Sequence, residues 1–238
     1  MVDFEEAGDL GVFIDEESLN TLEDKMNERG YLEGREMAGT FNMMKANDLI
    51  WSFVVNNYLM GKDPFPFDLL FWNSDSTRMP AAMHSFYLRN MYLENKLIQP
   101  GGIEIDGVKI DLSKIKVPTY IISTREDHIA PWEATYKATQ IYSGPIRFVL
   151  SASGHIAGVV NPPAANKYCY WTNDDQATDP IHWLEGAEQH EGSWWTDWDK
   201  WLKPHAGKLT VKAREPGDGK LKTLCDAPGT YVAIKATD

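Results

Sequence analysis

The spacing of apolar positions changes three times along the chain. Up to about residue 100, after a short extended start, apolar residues recur at helical intervals. Asn47 is placed to cap a helix carrying Leu49, Ile50, Phe53, Val54 and Tyr58, with Gly61 as its stop. Pro64-Phe65-Pro66 then breaks the chain. A second helix is predicted from Pro80, with Met83, Phe86, Tyr87, Met91 and Leu97 as its apolar positions and Pro100-Gly101-Gly102 as its end. Between residues 103 and 112 apolar and polar residues alternate about Asp106-Gly107, which predicts a hairpin. Residues 117–123 and 146–150 are short apolar runs that read as buried strands, and Pro131 opens a helix between them that runs to about Tyr142, stopped by Ser143-Gly144-Pro145. A strand–helix–strand unit of this length predicts a right-handed crossover. The strands are then parallel, and the loops that follow them share one sheet edge.

After Asn161-Pro162-Pro163 the chain turns polar and reads as loop. Thr196, with Asp199 three positions on, forms a capping-box pattern opening a helix. Trp198, Trp201 and Leu202 would be its buried stripe, with Pro204 beyond its end. The tail from about residue 205 is rich in Gly, Lys and Thr, with a short strand expected over 230–234.

The bulk composition narrows the function class. A net charge of −12 argues against nucleic acid as a partner, while leaving room for a local basic pocket. No apolar run approaches the ~18 residues of a membrane span. The acidic start Met1-Val2-Asp3-Phe4-Glu5-Glu6 is unlike a signal or transit peptide. Two cysteines, Cys169 and Cys225, fit neither a disulfide framework nor metal-ligand spacing, so a cytoplasmic location is the default. Nine tryptophans point to a large apolar pocket, an interface or a heavy core.

The candidate chemistry lies in the two loops at the shared sheet edge. The first reads Arg125-Glu126-Asp127-His128-Ile129-Ala130-Pro131-Trp132, the second Ser153-Gly154-His155-Ile156-Ala157-Gly158. Read alone, Asp127 is equally a turn or helix-cap residue, and His155 equally a satisfied loop histidine. At matched strand ends they become an acid–base pair, in which the carboxylate fixes the imidazole tautomer and stabilises its charged form. Acid before histidine is the chain order of the α/β-hydrolase group. The nucleophile that should precede them is missing: no Gly-x-Ser-x-Gly or Gly-x-Cys-x-Gly elbow occurs, and both cysteines follow the pair. A metal held by His128 and His155 lacks a third ligand, so His128 reads as a pocket or structural histidine. His182 and His190 read as surface residues. Aromatic stretches such as Phe67-Asp68-Leu69-Leu70-Phe71-Trp72-Asn73 and Gly192-Ser193-Trp194-Trp195 read as core or interface, the functional alternative being a tunnel for an acyl chain.

At these residues the chain resembles the C-terminal part of class I polyhydroxyalkanoate synthases. The matching stretches are Asn47-Asp48-Leu49-Ile50-Trp51, Pro66 with Phe67 to Asn73, Val117-Pro118-Thr119-Tyr120, the two loops, Asn161-Pro162-Pro163 and Gly192-Ser193-Trp194-Trp195; the tail matches weakly through Pro228-Gly229 and Tyr231-Val232. The resemblance implies a partial α/β-hydrolase fold: the end of a core strand plus a helical lid over 1–100, the C-terminal part of the core over 101–203, and a tail over 204–238. It implies an acyltransferase that joins 3-hydroxyacyl units from coenzyme A thioesters into polyester with a Cys-His-Asp triad and no cofactor or metal. By resemblance His155 would be the base, Asp127 the acid that orients the histidine or helps deprotonate the incoming 3-hydroxyl, and Ala157 a position near the pocket that influences substrate range; His128 remains the candidate pocket residue beside them. The early core strands and the nucleophile elbow would lie upstream, with Met1 an internal start or a fragment boundary, so the chain alone is expected to be inactive. Expected partners are the acyl-CoA substrate, the growing polyester, the granule surface and a second copy through the lid. The rivals are an esterase or polyester depolymerase of the same fold, and a non-catalytic piece that dimerises or coats granules.

Overall fold

The computed structural model describes residues 1–64, 77–208, 210–215 and 217–234. Helix α1 (Glu16–Arg29) begins where Asp15 accepts the Ser18 N–H at 2.8 Å and ends at Gly30, whose φ of +84° is a left-handed stop that glycine takes at little cost. β1 (Tyr31–Leu32) and α2 (Gly34–Met44) follow. The helix expected around Asn47 is present as two π-helical stretches, Asn47–Trp51 and Val54–Leu59, and Asn47 lies inside the first rather than capping it. The stretch from Pro66 to Asn73 lies outside the described residues.

β2 (Met79–Pro80) pairs antiparallel with β1 and leads into α3 (Ala81–Tyr87), which continues as a π-helical stretch, Leu88–Leu93. The expected apolar stripe is met in part: Tyr87, Met91 and Leu97 are half-buried, but its first two positions face outward. Met83 and Phe86 are exposed, whereas Ala81 and His84 are buried and Leu88 and Met91 half-buried. Positions 81, 84, 88 and 91 also have helical spacing, but a histidine on the stripe hides it from a hydropathy count. Arg89 ties this helix to α1 through a two-pronged contact with Glu23, at 2.7 and 2.8 Å, and a bond to Glu16 at 2.9 Å.

The predicted hairpin is β3 (Glu104–Ile105) with β4 (Val108–Lys109), turned by Asp106 and Gly107 at φ +49° and +73°, as a tight two-residue turn requires. The main sheet has the order β5-β6-β7-β8. β5 (Thr119–Thr124) and β6 (Ile146–Ser151) are parallel along their whole length, with Thr119 opposite Ile146 and Thr124 opposite Ser151. Their crossover is two short helices, α4 (Trp132–Tyr136) and α5 (Ala138–Ile141), interrupted at Lys137, rather than one continuous helix. β7 (Cys169–Thr172), α6 (Pro180–Glu185) and β8 (Glu188–Glu191) occupy the stretch that the sequence reads as loop, both strands antiparallel to their neighbours. β8 reads Glu188-Gln189-His190-Glu191: a solvent-facing edge strand carries no apolar alternation to detect.

α7 (Trp195–His205) starts one residue before Thr196. Its first turn is held by Ser193, whose Oγ accepts the Trp195 N–H at 3.1 Å, and the Thr196 hydroxyl donates back to the Ser193 carbonyl oxygen at 3.0 Å. The expected buried stripe is not realised: Trp198 is 41% exposed, Trp201 and Leu202 are half-buried, and Pro204 lies in the last turn. Trp201 still packs on Tyr120 of β5, with ring centroids 5.4 Å apart, and charge adds a second attachment to the sheet. Arg147 grips Asp197 at 2.8 and 2.6 Å, and the Tyr120 hydroxyl donates to the same carboxylate at 3.0 Å. The strand expected over 230–234 is a single 3-10 turn, Tyr231–Ala233.

β6 carries the core on both faces, as strand alternation dictates. Phe148 and Leu150 pack with Trp132, Tyr136 and Trp183 on one side, and Val149 packs with Tyr170 and Trp194 on the other. Trp183 is fully buried. Trp183→Ala is therefore expected to cost about 3–5 kcal/mol in urea unfolding. Trp198→Ala, on the half-open face of α7, is expected to change it by about 0.5 kcal/mol or less.

Candidate active site

Parallel register carries the two loops to the same edge, and backbone hydrogen bonds then fasten them together. The Arg125 N–H donates to the Ser151 carbonyl at 2.8 Å and the Glu126 N–H to that of Ser153 at 3.1 Å. Ser153 has φ +73°, a left-handed conformation unusual for a residue with a Cβ, and this bond helps hold it there. Gly158 closes the histidine loop by donating its N–H to the Gly154 carbonyl at 3.0 Å and accepting the buried Ser151 hydroxyl at 2.9 Å. A Cβ on Gly158 would overlap the Thr124 methyl and come within 2.6 Å of the Ala152 carbonyl oxygen, so only glycine fits. The indole N–H groups of Trp194 and Trp195 both donate to the Val159 carbonyl, at 3.1 and 2.9 Å. The Gly192-Ser193-Trp194-Trp195 stretch thus anchors the histidine loop from the far side.

Asp127 serves both the turn and the pair. Its Oδ1 accepts the N–H groups of Ile129 and Ala130, each at 2.9 Å, which shapes the acid loop. Its Oδ2 accepts from Nδ1 of His155 at 2.7 Å. The Asp127 side chain is only 8% exposed and that of His155 47%. The carboxylate therefore meets the imidazole from inside, and His155 keeps about half of its side chain exposed. Burial works to raise the Asp127 pKa, but the bonds from His155, Ala130 and Ile129 outweigh it and hold the carboxyl below its ordinary range. The bond to Asp127 lifts the His155 pKa above that of an ordinary histidine, against the opposing effect of burial.

His128 is half-buried with Nε2 unpartnered, and burial, reinforced by the Lys45 charge, pushes its pKa down. Ala157 is exposed in the turn two residues beyond His155. Of the remaining histidines, His182 is exposed as expected. His190 is not a free surface residue: it stacks on Tyr170 at 4.9 Å and bonds to the Thr172 hydroxyl at 2.8 Å. Among the described residues no group of three or more His, Cys, Asp and Glu side chains is placed to hold a metal ion. Cys169 lies in β7 with burial raising its thiol pKa, and Cys225 is exposed in the tail. Sequence reasoning missed two structural supports of the pair, Gly158 as a packing constraint and the paired indoles; in both, the signal is a shape requirement that no periodicity records.

The pKa shifts set a pH window. A histidine that holds its proton more tightly when folded contributes stability that is full below its unfolded pKa and lost as pH rises through the folded one. A carboxyl that is more acidic when folded contributes stability above its unfolded pKa, lost as pH falls through the folded one. Replacing Asp127 by Asn keeps an acceptor for Ile129 and Ala130 and removes the charge. In an NMR titration the His155 midpoint is expected to fall in Asp127→Asn, and the stability difference between the two proteins should be largest between the ordinary carboxylate and histidine ranges. An unchanged midpoint would remove the electrostatic coupling. Gly158→Ala is expected to cost about 1–3 kcal/mol by overpacking, measured by urea unfolding.

No family model matches the chain. Curated relatives match it along almost its whole length. The poly(3-hydroxyalkanoate) polymerase of Methylorubrum extorquens is 52% identical over 236 residues, which are 99% of this chain and 39% of the relative. The poly(3-hydroxyalkanoate) polymerase subunit PhaC of Rhizobium meliloti (strain 1021) is 51% identical over 235 residues, 99% of this chain and 38% of its own. The subunit of the same name from Cupriavidus necator is 46% identical over 241 residues, 99% of this chain and 41% of its own. The chain spans about two-fifths of the length of these relatives, and over 99% of its own length it is similar to poly(3-hydroxyalkanoate) polymerases.

Proposed function

We propose that this chain supplies the base and the acid of a polyhydroxyalkanoate polymerase, the cysteine coming from the part of the relatives it does not cover. The observation that carries the reading is the 2.7 Å contact between His155 Nδ1 and Asp127 Oδ2 at adjacent strand ends. With Nδ1 donating to the carboxylate, Nε2 has a free lone pair to take the proton of a cysteine thiol. The thiolate attacks the thioester carbonyl of a 3-hydroxyacyl-CoA, coenzyme A leaves, and the imidazolium returns its proton to the departing thiolate. In the second half-reaction the 3-hydroxyl of another unit loses its proton to His155 and attacks the acyl-cysteine, forming an ester bond and freeing the thiol. Asp127 stabilises the imidazolium in both halves. His128 and Ala157, on the same two loops, would border the acyl group.

On this reading the mixed sheet is the C-terminal part of an α/β-hydrolase core. The outer edge of β5 has no neighbouring strand among the described residues, which supports a further strand pairing there. Residues 1–100 would be a lid, 101–203 core and 204–238 a tail. Exposed apolar side chains in the helical region, Trp51, Phe53, Tyr58 and Leu59 among them, support contact with a second copy or with polyester. No helix among the described residues is long and apolar enough to cross a membrane, which is compatible with a protein acting at the surface of a cytoplasmic granule.

The test joins this chain to the remaining residues of a relative, including the cysteine elbow, and supplies 3-hydroxybutyryl-CoA. The joined protein is expected to make polymer, and the 238-residue chain alone none. His155→Ala in the joined protein should abolish acylation of the cysteine, and Asp127→Asn should lower kcat by about 10⁴ with the fold intact. Full activity of His155→Ala would overturn the assignment. Release of free 3-hydroxybutyrate without polymer would favour a hydrolase.

A further inference from the structure

The ion pair that holds α7 and the loops that carry Asp127 and His155 lie at opposite ends of the sheet. Tyr120 and Arg147 face each other across β5 and β6, each the second residue of its strand. The strands run on to Thr124 and Ser151, about 13 Å further at the rise of an extended chain, and there the two loops begin. A continuous series of bonds joins the two ends. The Asp197 carboxylate takes both prongs of Arg147 and the hydroxyl of Tyr120, so both its oxygens are used. The Asp197 N–H donates to the Trp194 carbonyl at 3.0 Å. The indoles of Trp194 and Trp195 donate to the Val159 carbonyl. The Val159 N–H donates to the carbonyl of Ile156 at 3.1 Å, and Ile156 is the neighbour of His155 in the chain.

We infer that Arg147 and Asp197 are positioning residues for His155: they set the rotation of α7 about its axis, so that both indoles meet Val159 and the histidine loop is held with its ring on Asp127. Packing alone does not transmit position in this way. Trp194 and Trp201 both lie against Tyr120, with centroids 6.1 and 5.4 Å away, but ring contacts of this kind tolerate sliding and turning of the helix. A guanidinium fork on a carboxylate does not, because two parallel bonds fix an angle as well as a distance. The pair is also largely withdrawn from water, with the Asp197 side chain 13% exposed and that of Arg147 27%. Desolvation cancels much of the attraction in such a pair, so apolar residues of the same size would stabilise the fold about as well. What the ion pair supplies is orientation. The inference rests on the proposed function only in taking His155 as the base; the coupling is a property of this chain by itself.

The test is nitrogen-15 NMR of the His155 ring in the 238-residue chain. Arg147→Lys keeps the charge and loses the fork, and Trp195→Phe removes one of the two indole donors. Both are expected to change the tautomer ratio of the neutral ring and to bring its titration midpoint toward that of an ordinary histidine. Trp183→Phe, in the aromatic cluster on the other face of β6, is expected to lower the urea midpoint and leave the His155 ring as in the parent. Tyr120→Phe, Arg147→Met and Asp197→Leu together replace the clamp by apolar side chains. This triple variant should resist urea at least as well as Arg147→Lys and still show the disturbed ring. In the protein joined to the rest of a relative, Arg147→Lys should lower kcat about 10–100-fold, with KM for 3-hydroxybutyryl-CoA within about twofold. A His155 ring unchanged in Arg147→Lys and Trp195→Phe, or disturbed as much by Trp183→Phe, would overturn the positioning role and leave the polymerase reading standing. A joined enzyme that polymerises without His155 would overturn the polymerase reading and leave the coupling intact.

Discussion

Thr124 lies opposite Ser151 across a parallel pair of strands, and the acid–base site depends on that register. A slip of one residue would turn every side chain of β6 to the other face. It would expel Phe148 and Leu150 from the aromatic cluster, so the same packing that stabilises the sheet fixes the loops. The cross-loop bonds at Arg125 and Glu126 then convert strand register into side-chain geometry. The pair is positioned by elements that do not touch it: a glycine that no Cβ can replace, a serine in a left-handed conformation, and two indoles on one carbonyl oxygen.

The asymmetry within the pair follows from the same arrangement. Asp127 is sunk into its own turn, with both carboxylate oxygens engaged, so it stays ionised despite burial. His155 projects further, with one edge bound and the other open. A carboxylate that could rotate would lose the imidazole; on the proposed reading, a histidine that was fully enclosed could not meet its thiol. On the proposed reading the geometry is that of a prepared base.

Much of this was legible in the chain. Apolar runs before residues 125 and 152, with a helix-length connection between them, imply parallel strands, and the parallel pairing is observed. The hairpin at Asp106-Gly107 follows from its turn residues. The unreadable parts share a physical cause: their stability comes from polar or tertiary contacts rather than from periodicity. β8 is an edge strand without apolar residues, α7 is held by the Arg147–Asp197 ion pair as well as by Trp201, and α3 buries a histidine where a hydropathy count expects a methionine. The crossover helix divides at Lys137, which no local signal marks. Of the candidate residues, the pairing of Asp127 with His155 could be anticipated from topology, whereas the dual use of the two Asp127 oxygens required coordinates.

The helical region and the reacting loops meet through Ile129, which borders an apolar cavity among the helices on one side and donates to Asp127 on the other. The central claim is that Asp127 holds His155 with its proton on Nδ1 and its lone pair on Nε2. Nitrogen-15 NMR of the neutral imidazole measures this directly. The account predicts a protonated Nδ1 and a bare Nε2 in the parent chain, with that preference lost in Asp127→Asn. A neutral His155 carrying its proton on Nε2, or a tautomer ratio indifferent to Asp127, would contradict it.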